Sequence, residues 1–224
     1  LKGLTEREAL LVLNTVPGFG NRRTLQLIEH CGSASAVLNL PSDELSAVSG
    51  LSPQAALNLL HFPAGEFLKK ESENLASWNA RVVSFQDSDY PASLRDIHDA
   101  PIVLYVQGKV PERIDVSLAI VGARKASLYG IEIAEAFACR LAEFGIPVVS
   151  GLARGIDAAA HRGCLKAGGE TVGVLGCGLD IIYPLENKDL FEQIRRKGCV
   201  ISEFPFGTLP VSFNFPRRNR IVSG

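Results

Sequence analysis

The 224-residue sequence contains no methionine and one tryptophan, and its charges almost cancel, with 23 Lys and Arg against 24 Asp and Glu. Bulk charge therefore does not advertise a polyanionic partner, and any such site must come from a local arrangement of cations. The five cysteines (Cys31, Cys139, Cys164, Cys177, Cys199) are odd in number and contain no Cys-x-x-Cys pair. That spacing fits neither a disulfide framework nor a zinc site and reads as a reducing, cytoplasmic protein. Four histidines without His-Glu-x-x-His or a Cys/His cluster give no expectation of a metal. Leu45 to Gly65 lacks Asp, Glu, Lys and Arg, but Pro53, Gln54, Asn58 and several serines make it too polar to span a membrane. No secretory leader is legible at the start. Leu1 in place of an initiator, and the apolar Ile221-Val222 just before Gly224, read as a chain truncated within a domain.

Charge is unevenly spread. Residues 1–78 and 79–116 each carry a net −2, whereas residues 117–224 carry +3, with Arg217, Arg218 and Arg220 in the last eight positions. The expected organisation is a small helical domain over 1–65, a connector with lead-in strands over 66–116, and a Rossmann-like domain over 117–224. In the first part Thr5 and Glu8 have capping-box spacing before Leu10-Leu11-Val12-Leu13. Val16-Pro17-Gly18-Phe19-Gly20 and, 32 residues later, Val48-Ser49-Gly50-Leu51-Ser52 form a faint repeat between helix-like stretches. The pattern resembles a helix-hairpin-helix module, whose helix-start N–H groups can hold a phosphate. Taken alone, it reads first as a helical bundle with glycine caps. Arg81–Phe85 and Ile102–Val106 are strand-like, with turn chemistry at Asp89-Tyr90-Pro91 and Asp99-Ala100-Pro101 between them.

From residue 117 onward apolar strands alternate with helices. Strands are expected over Ser117–Val121, Pro147–Ser150, Thr171–Leu175 and Cys199–Ser202, and helices over Ile131–Phe144, Ile156–Ala167 and Asn187–Lys197. This alternation predicts an α/β, doubly wound, mainly parallel sheet covered on both faces. Ligands of such sheets bind beyond the carboxyl ends of the strands. Three glycine loops fall there: Gly122-Ala123-Arg124, Gly151 to Asp157 with Arg154 and Gly155, and Gly176-Cys177-Gly178 leading to Asp180. Glycine lets backbone N–H groups approach an anion, and two of these loops add an arginine. The edge therefore suits phosphate.

Familiar phosphate motifs are missing. Neither Gly122 nor Gly176 begins a complete Gly-x-Gly-x-x-Gly, and Gly163 to Gly168 is followed by Gly169-Glu170 where a Walker loop needs Lys-Ser/Thr. Asp157 and His161 share a helix face, with Ser150 nearby, but there is no Gly-x-Ser-x-Gly elbow. The pair reads as structural rather than catalytic. Near the end, four of the 11 Phe fall within residues 204–215, interleaved with Pro205, Pro210 and Pro216 and followed by three arginines. Stacking faces beside guanidinium groups are what single-strand binding without sequence readout uses. The arginines also admit another reading, in which Arg218 or Arg220 is a buried partner of Glu203 or Asp180.

Six segments in order, Ile120–Arg124, Ser150–His161, Val174–Asp180, Tyr183-Pro184 with Asn187, Ser202–Pro205 and Asn214–Arg220, closely resemble the bacterial DNA-processing protein A (DprA/Smf) family. Asp89-Tyr90-Pro91 to Leu94 and Pro101 to Gly108 resemble that family's lead-in. Gly122-Ala123-Arg124 departs from the family's Gly-Ser/Thr-Arg by losing a hydroxyl. The resemblance implies a single-stranded-DNA-binding protein of natural transformation, without catalysis or cofactor. It would protect incoming strands, help load the RecA recombinase, and act as a homodimer through its Rossmann-like domain. By motif, Gly122, Arg124, Gly151, Arg154, Gly155, Gly178, Arg217, Arg218 and Arg220 would meet nucleic acid, with Asp157, His161, Asp180 and Asn187 in structural support. The alternative is a phosphoribohydrolase-like enzyme on a related scaffold, but its Pro-Gly-Gly-x-Gly-Thr-x-x-Glu motif is absent here.

Overall fold

A computed structural model describes residues 3–41, 44–45 and 50–224; Val48-Ser49 of the second hairpin lie outside the described residues. Helix α1 (Glu6–Thr15) starts at the expected capping box, where the Glu8 N–H donates to Thr5 Oγ1 and the Thr5 N–H to the Glu8 carboxylate. Helix α2 (Asn21–Cys31) stops at Gly32, whose φ of +84° is open to glycine at little cost. Short α3 (Ala34–Val37) follows, then α4 (Pro53–Leu60), capped by Ser52 with Pro53 in its first turn. The first hairpin seats on α4. A Cβ on Gly18 would lie 2.6 Å from that of Ala55, and Asn58 Nδ2 donates to the Pro17 carbonyl at 3.0 Å.

Residues 64–77 form a further helix, α5 (Ala64–Ser77), most of it in the stretch expected as connector. Strands β1 (Ala80–Ser84) and β2 (Val103–Gly108) then pair antiparallel, with α6 (Ala92–Arg95) between them. β2 pairs antiparallel with β6 (Cys199–Ser202), so the lead-in strands belong to the same six-stranded sheet as the rest. β3 (Leu118–Ala119), β4 (Val148–Ser150), β5 (Thr171–Leu175) and β6 are mutually parallel, in the order β1-β2-β6-β5-β4-β3. The crossover helices are α7 (Leu128–Glu143), α8 (Ile156–Lys166) and α9 (Lys188–Lys197).

Both faces of the sheet are covered, and β4, β5 and β6 are buried along their whole lengths. On one face α9 and the helical front pack a common core, which joins Leu10, Leu13 and Leu27 to Val103, Leu175 and Phe191. On the other, Tyr90 and Leu94 meet Val149, Val174, Ile221 and Val222. Those last two residues belong to α10 (Asn214–Ser223), a helix in the Phe- and Arg-rich stretch for which no element was expected. Pro216 sits in its first turn, where the missing N–H costs no hydrogen bond. Among the described residues, no helix is long and apolar enough to cross a membrane.

Candidate nucleic-acid interface

The loops after β3, β4 and β5 converge on one end of the sheet, and α10 lies against them. Arg124, Gly151, Arg154, Gly176, Tyr183, Phe215 and Arg218 all line one depression there. A cleft of about 530 Å³ continues from it past Gly122, Asp157 and Asn219. The three loops therefore meet on one edge, as their position after parallel strands predicts.

Glycine is needed here because loops press on loops. Gly155 has a φ of +73°, and a Cβ there would run into the carbonyl oxygen of Ala123. Gly178 donates to the Thr208 carbonyl at 2.9 Å, and a Cβ on it would lie 2.8 Å from the Pro205 carbonyl. Asp180 holds the same segment from below, accepting the Gly207 N–H at 2.9 and 3.0 Å. Asn187 donates to the carbonyls of Leu152 and Ala153 and so fixes the loop that carries Arg154.

The anion position of the first two loops already has an occupant. Buried Asp157 accepts the Gly151 N–H at 3.1 Å and the Gly122 N–H at 3.4 Å. A carboxylate at a helix N-terminus replaces a ligand phosphate at that point. Asp157 and His161 do not hydrogen-bond to each other. Fully buried His161 bonds through Nδ1 to Thr171 Oγ1 at 2.7 Å, and the Thr171 hydroxyl donates a hydrogen bond to the Val148 carbonyl. Burial, reinforced by Arg218, pulls the imidazole down to a pKa of about 3, so it is neutral and has no path to solvent.

The five arginines named from the sequence separate into different roles. Arg124 is exposed, and its guanidinium lies 5.3 Å from the Phe215 ring centre; Tyr183 packs on the same ring at 5.7 Å with a 32° tilt. Arg154 is exposed and paired with Glu186. Arg217 is 46% exposed; its guanidinium covers the Phe204 ring at 5.3 Å and reaches Glu203 at 3.7 Å. Arg218 is buried, donating to the carbonyls of Gly151 and Val174, and burial pulls its pKa below the ordinary value. Arg220 bridges Asp99 at 2.8 Å and buried Glu203 at 2.5 Å. Arg124, Arg154 and Arg217 therefore present charge at the surface, while Arg218 and Arg220 hold α10 in place. Arg220 is thus the partner of Glu203 that the alternative reading foresaw.

Two parts of this surface were not legible beforehand. Tyr183 and Phe215 are 32 residues apart in sequence, and only the docking of α10 stacks them. Leu185, Leu209, Val211 and Phe213, close to Tyr183 or Phe215 in sequence, are exposed apolar side chains as well.

Comparison with known proteins places this geometry. The sequence pattern described as DNA recombination-mediator protein A matches residues 81–224. The DNA processing protein DprA of Streptococcus pneumoniae is 35% identical over 208 residues, covering 92% of this chain and 71% of that protein. Protein Smf of Synechocystis sp. is 40% identical over 163 residues, 71% of this chain but only 40% of the relative's own length. The X-ray structure of the S. pneumoniae DprA superposes with a TM-score of 0.82 at 31% identity, covering 98% of this chain and 75% of that one. A structure of DNA processing protein A from Helicobacter pylori, described for its single-stranded DNA binding mode, gives 0.57 at 29% identity over 65% of each chain. The family pattern runs through every loop of the site, and the chain belongs to the DNA recombination-mediator protein A (DprA/Smf) family.

Proposed function

We propose that the carboxyl edge of the sheet binds single-stranded DNA without reading its sequence. One observation carries this: Arg124, Phe215 and Tyr183 form a stacked platform at the surface, with exposed Phe213 two residues before Phe215. Unstacked bases lie on aromatic and guanidinium faces, and Arg124, Arg154 and Arg217 meet the backbone. A duplex hides its base faces and gains nothing from such a platform. The H. pylori relative, described as binding single strands, supports the reading.

The site is read as one that binds without catalysis. Asp157 is committed to two backbone N–H groups and His161 to Thr171, so neither is free to act on a bound strand. From the family resemblance we extend the reading to a cytoplasmic homodimer that protects incoming strands in transformation and helps load RecA. Anisotropy of labelled oligo-dT against a matched duplex, across a salt series, tests the core of it. Tighter binding of the single strand is expected, with log affinity falling linearly in log salt. Equal or tighter binding of the duplex would overturn it. Release of free base from nucleoside monophosphates would instead favour the phosphoribohydrolase-like enzyme.

A further inference from the structure

The first glycine hairpin, residues 16–20, is flanked by Asn14 near the end of α1 and Asn21 at the start of α2, and both asparagines reach the same residue. Asn14 Nδ2 donates to the Glu203 carbonyl at 2.9 Å, and Asn21 Nδ2 donates to Glu203 Oε2 at 3.4 Å. The helical front thus grips the main chain and the side chain of the residue that directly follows β6. Asn21 is buried, where an amide needs a hydrogen-bond partner, and Glu203 is that partner. Three residues further on, Phe206 packs edge-on against Tyr105 at 5.5 Å and shares the core of Leu10 and Leu13. The start of the segment between β6 and α10 is therefore fixed from the side of the helical front.

Glu203 faces α10 on its other side. Its side chain is 1% exposed, and Oε2 accepts from Arg220 Nη2 at 2.5 Å and lies 3.7 Å from Arg217 Nη2. The longer separation is an attraction that aligns the Arg217 guanidinium without using up a donor in a hydrogen bond. The Phe204 ring, 5.3 Å away, gives that guanidinium a second support, and nearly half of the side chain stays exposed. A side chain already confined in this way loses less freedom when a phosphate arrives.

We propose that Glu203 is a positioning residue of the single-strand site, through which the helical front holds Arg217 in place for phosphate without touching DNA itself. The inference rests on the single-strand reading of the sheet edge. Coulomb attraction between Glu203 and Arg217 alone gives the opposite expectation, in which the carboxylate competes with phosphate and its removal tightens binding. Here two carboxylates, Asp99 and Glu203, face two guanidinium groups, Arg217 and Arg220, and the closer contacts of both carboxylates are to Arg220. The Glu203 charge is met chiefly by Arg220, and what it adds at Arg217 is orientation.

Anisotropy of labelled oligo-dT across a salt series tests it on wild type, Arg124→Ala, Arg217→Ala, Asn14→Ala and Glu203→Gln, with the last two also made in the Arg217→Ala background. Arg217→Ala should weaken binding and shallow the salt slope by about 0.7. Asn14→Ala and Glu203→Gln should each weaken binding several-fold with the slope unchanged, because Arg217 keeps its charge. Neither should weaken it further once Arg217 is gone, whereas a general loss of structure would persist in that background. Asn14 is only partly buried, so its arm stands even if Glu203→Gln does not fold. Tighter binding by Glu203→Gln would make the carboxylate a competitor and overturn the proposal. Wild-type binding by Asn14→Ala, or losses that add to that of Arg217→Ala, would overturn it too, while a weakened Arg217→Ala leaves the single-strand reading standing. Wild-type binding by both Arg124→Ala and Arg217→Ala would overturn that reading itself.

Discussion

Arg218 Nη1 donates to the main-chain oxygen of Gly151 at 2.6 Å, which locks a side chain of α10 into the turn that follows β4. The same nitrogen donates to the Val174 carbonyl of β5, so one guanidinium bridges the ends of two neighbouring strands. Gly151 must be glycine for this approach, since a Cβ would press into both Arg218 and Asp157. A charge that looks available for DNA in the sequence is a fastening of the site.

Arg217 and Arg218 should therefore behave oppositely. Arg218→Ala leaves two buried carbonyls unpaired and opens a void, a loss of about 2–4 kcal/mol. Arg217→Ala removes a half-exposed cation, and its melting temperature should stay within a few degrees of wild type while oligo-dT affinity falls. Thermal melts and anisotropy on the two variants check the contrast. Comparable loss of stability in both would refute it.

Arg124→Ala should weaken binding to all single strands about equally and reduce the salt slope by about 0.7. Its guanidinium touches the Phe215 ring at the surface and has no core role, so the melting temperature should barely move. A salt series of anisotropy titrations on two unrelated oligonucleotides reads both effects.

Asp157→Asn keeps the shape but turns one acceptor oxygen into an N–H donor facing a backbone N–H. With Asp157 buried against Gly151 and Gly122, a loss of about 1–3 kcal/mol is expected. Urea unfolding measures it; a variant as stable as wild type would show that the carboxylate does not hold the two loops together.

His161 makes stability depend on pH. Its folded pKa, about 3, lies below the ordinary 6.5, so the unfolded chain binds the extra proton first. Its contribution is fully present above pH 6.5 and is lost as pH falls from there toward 3, by up to about 1.4 kcal/mol per pH unit. In His161→Leu that slope should disappear between pH 6.5 and 5, even where the variant is less stable at pH 7. Unfolding free energies of both proteins at four pH values test this, and parallel curves would contradict it.

The sequence by itself determined what depends on neighbours along the chain. Capping-box spacing at Thr5 and Glu8, an apolar run closed by Gly176 and another opened by Gly198 fixed α1, β5 and β6, because helix and strand periods are local. The order of those elements was enough to bring the three glycine loops to one edge. Helix α5 carries a local signal, with Phe67, Leu68, Glu71 and Leu75 on one helical stripe, inside a stretch whose neighbouring strand and turn signals read as connector. Helix α10 was obscured by Pro216, which a first turn tolerates. What only the tertiary structure decided was the role of each cation. Arg217, Arg218 and Arg220 stand within four positions on one helix, yet they face, respectively, an aromatic ring near solvent, two strand-end carbonyls, and a pair of carboxylates. Those partners lie far away in sequence for Arg218 and Arg220, at Gly151 and Asp99. A charged side chain near a buried surface takes whichever acceptors the packed elements leave unpaired, and that is settled only when α10 docks on the sheet.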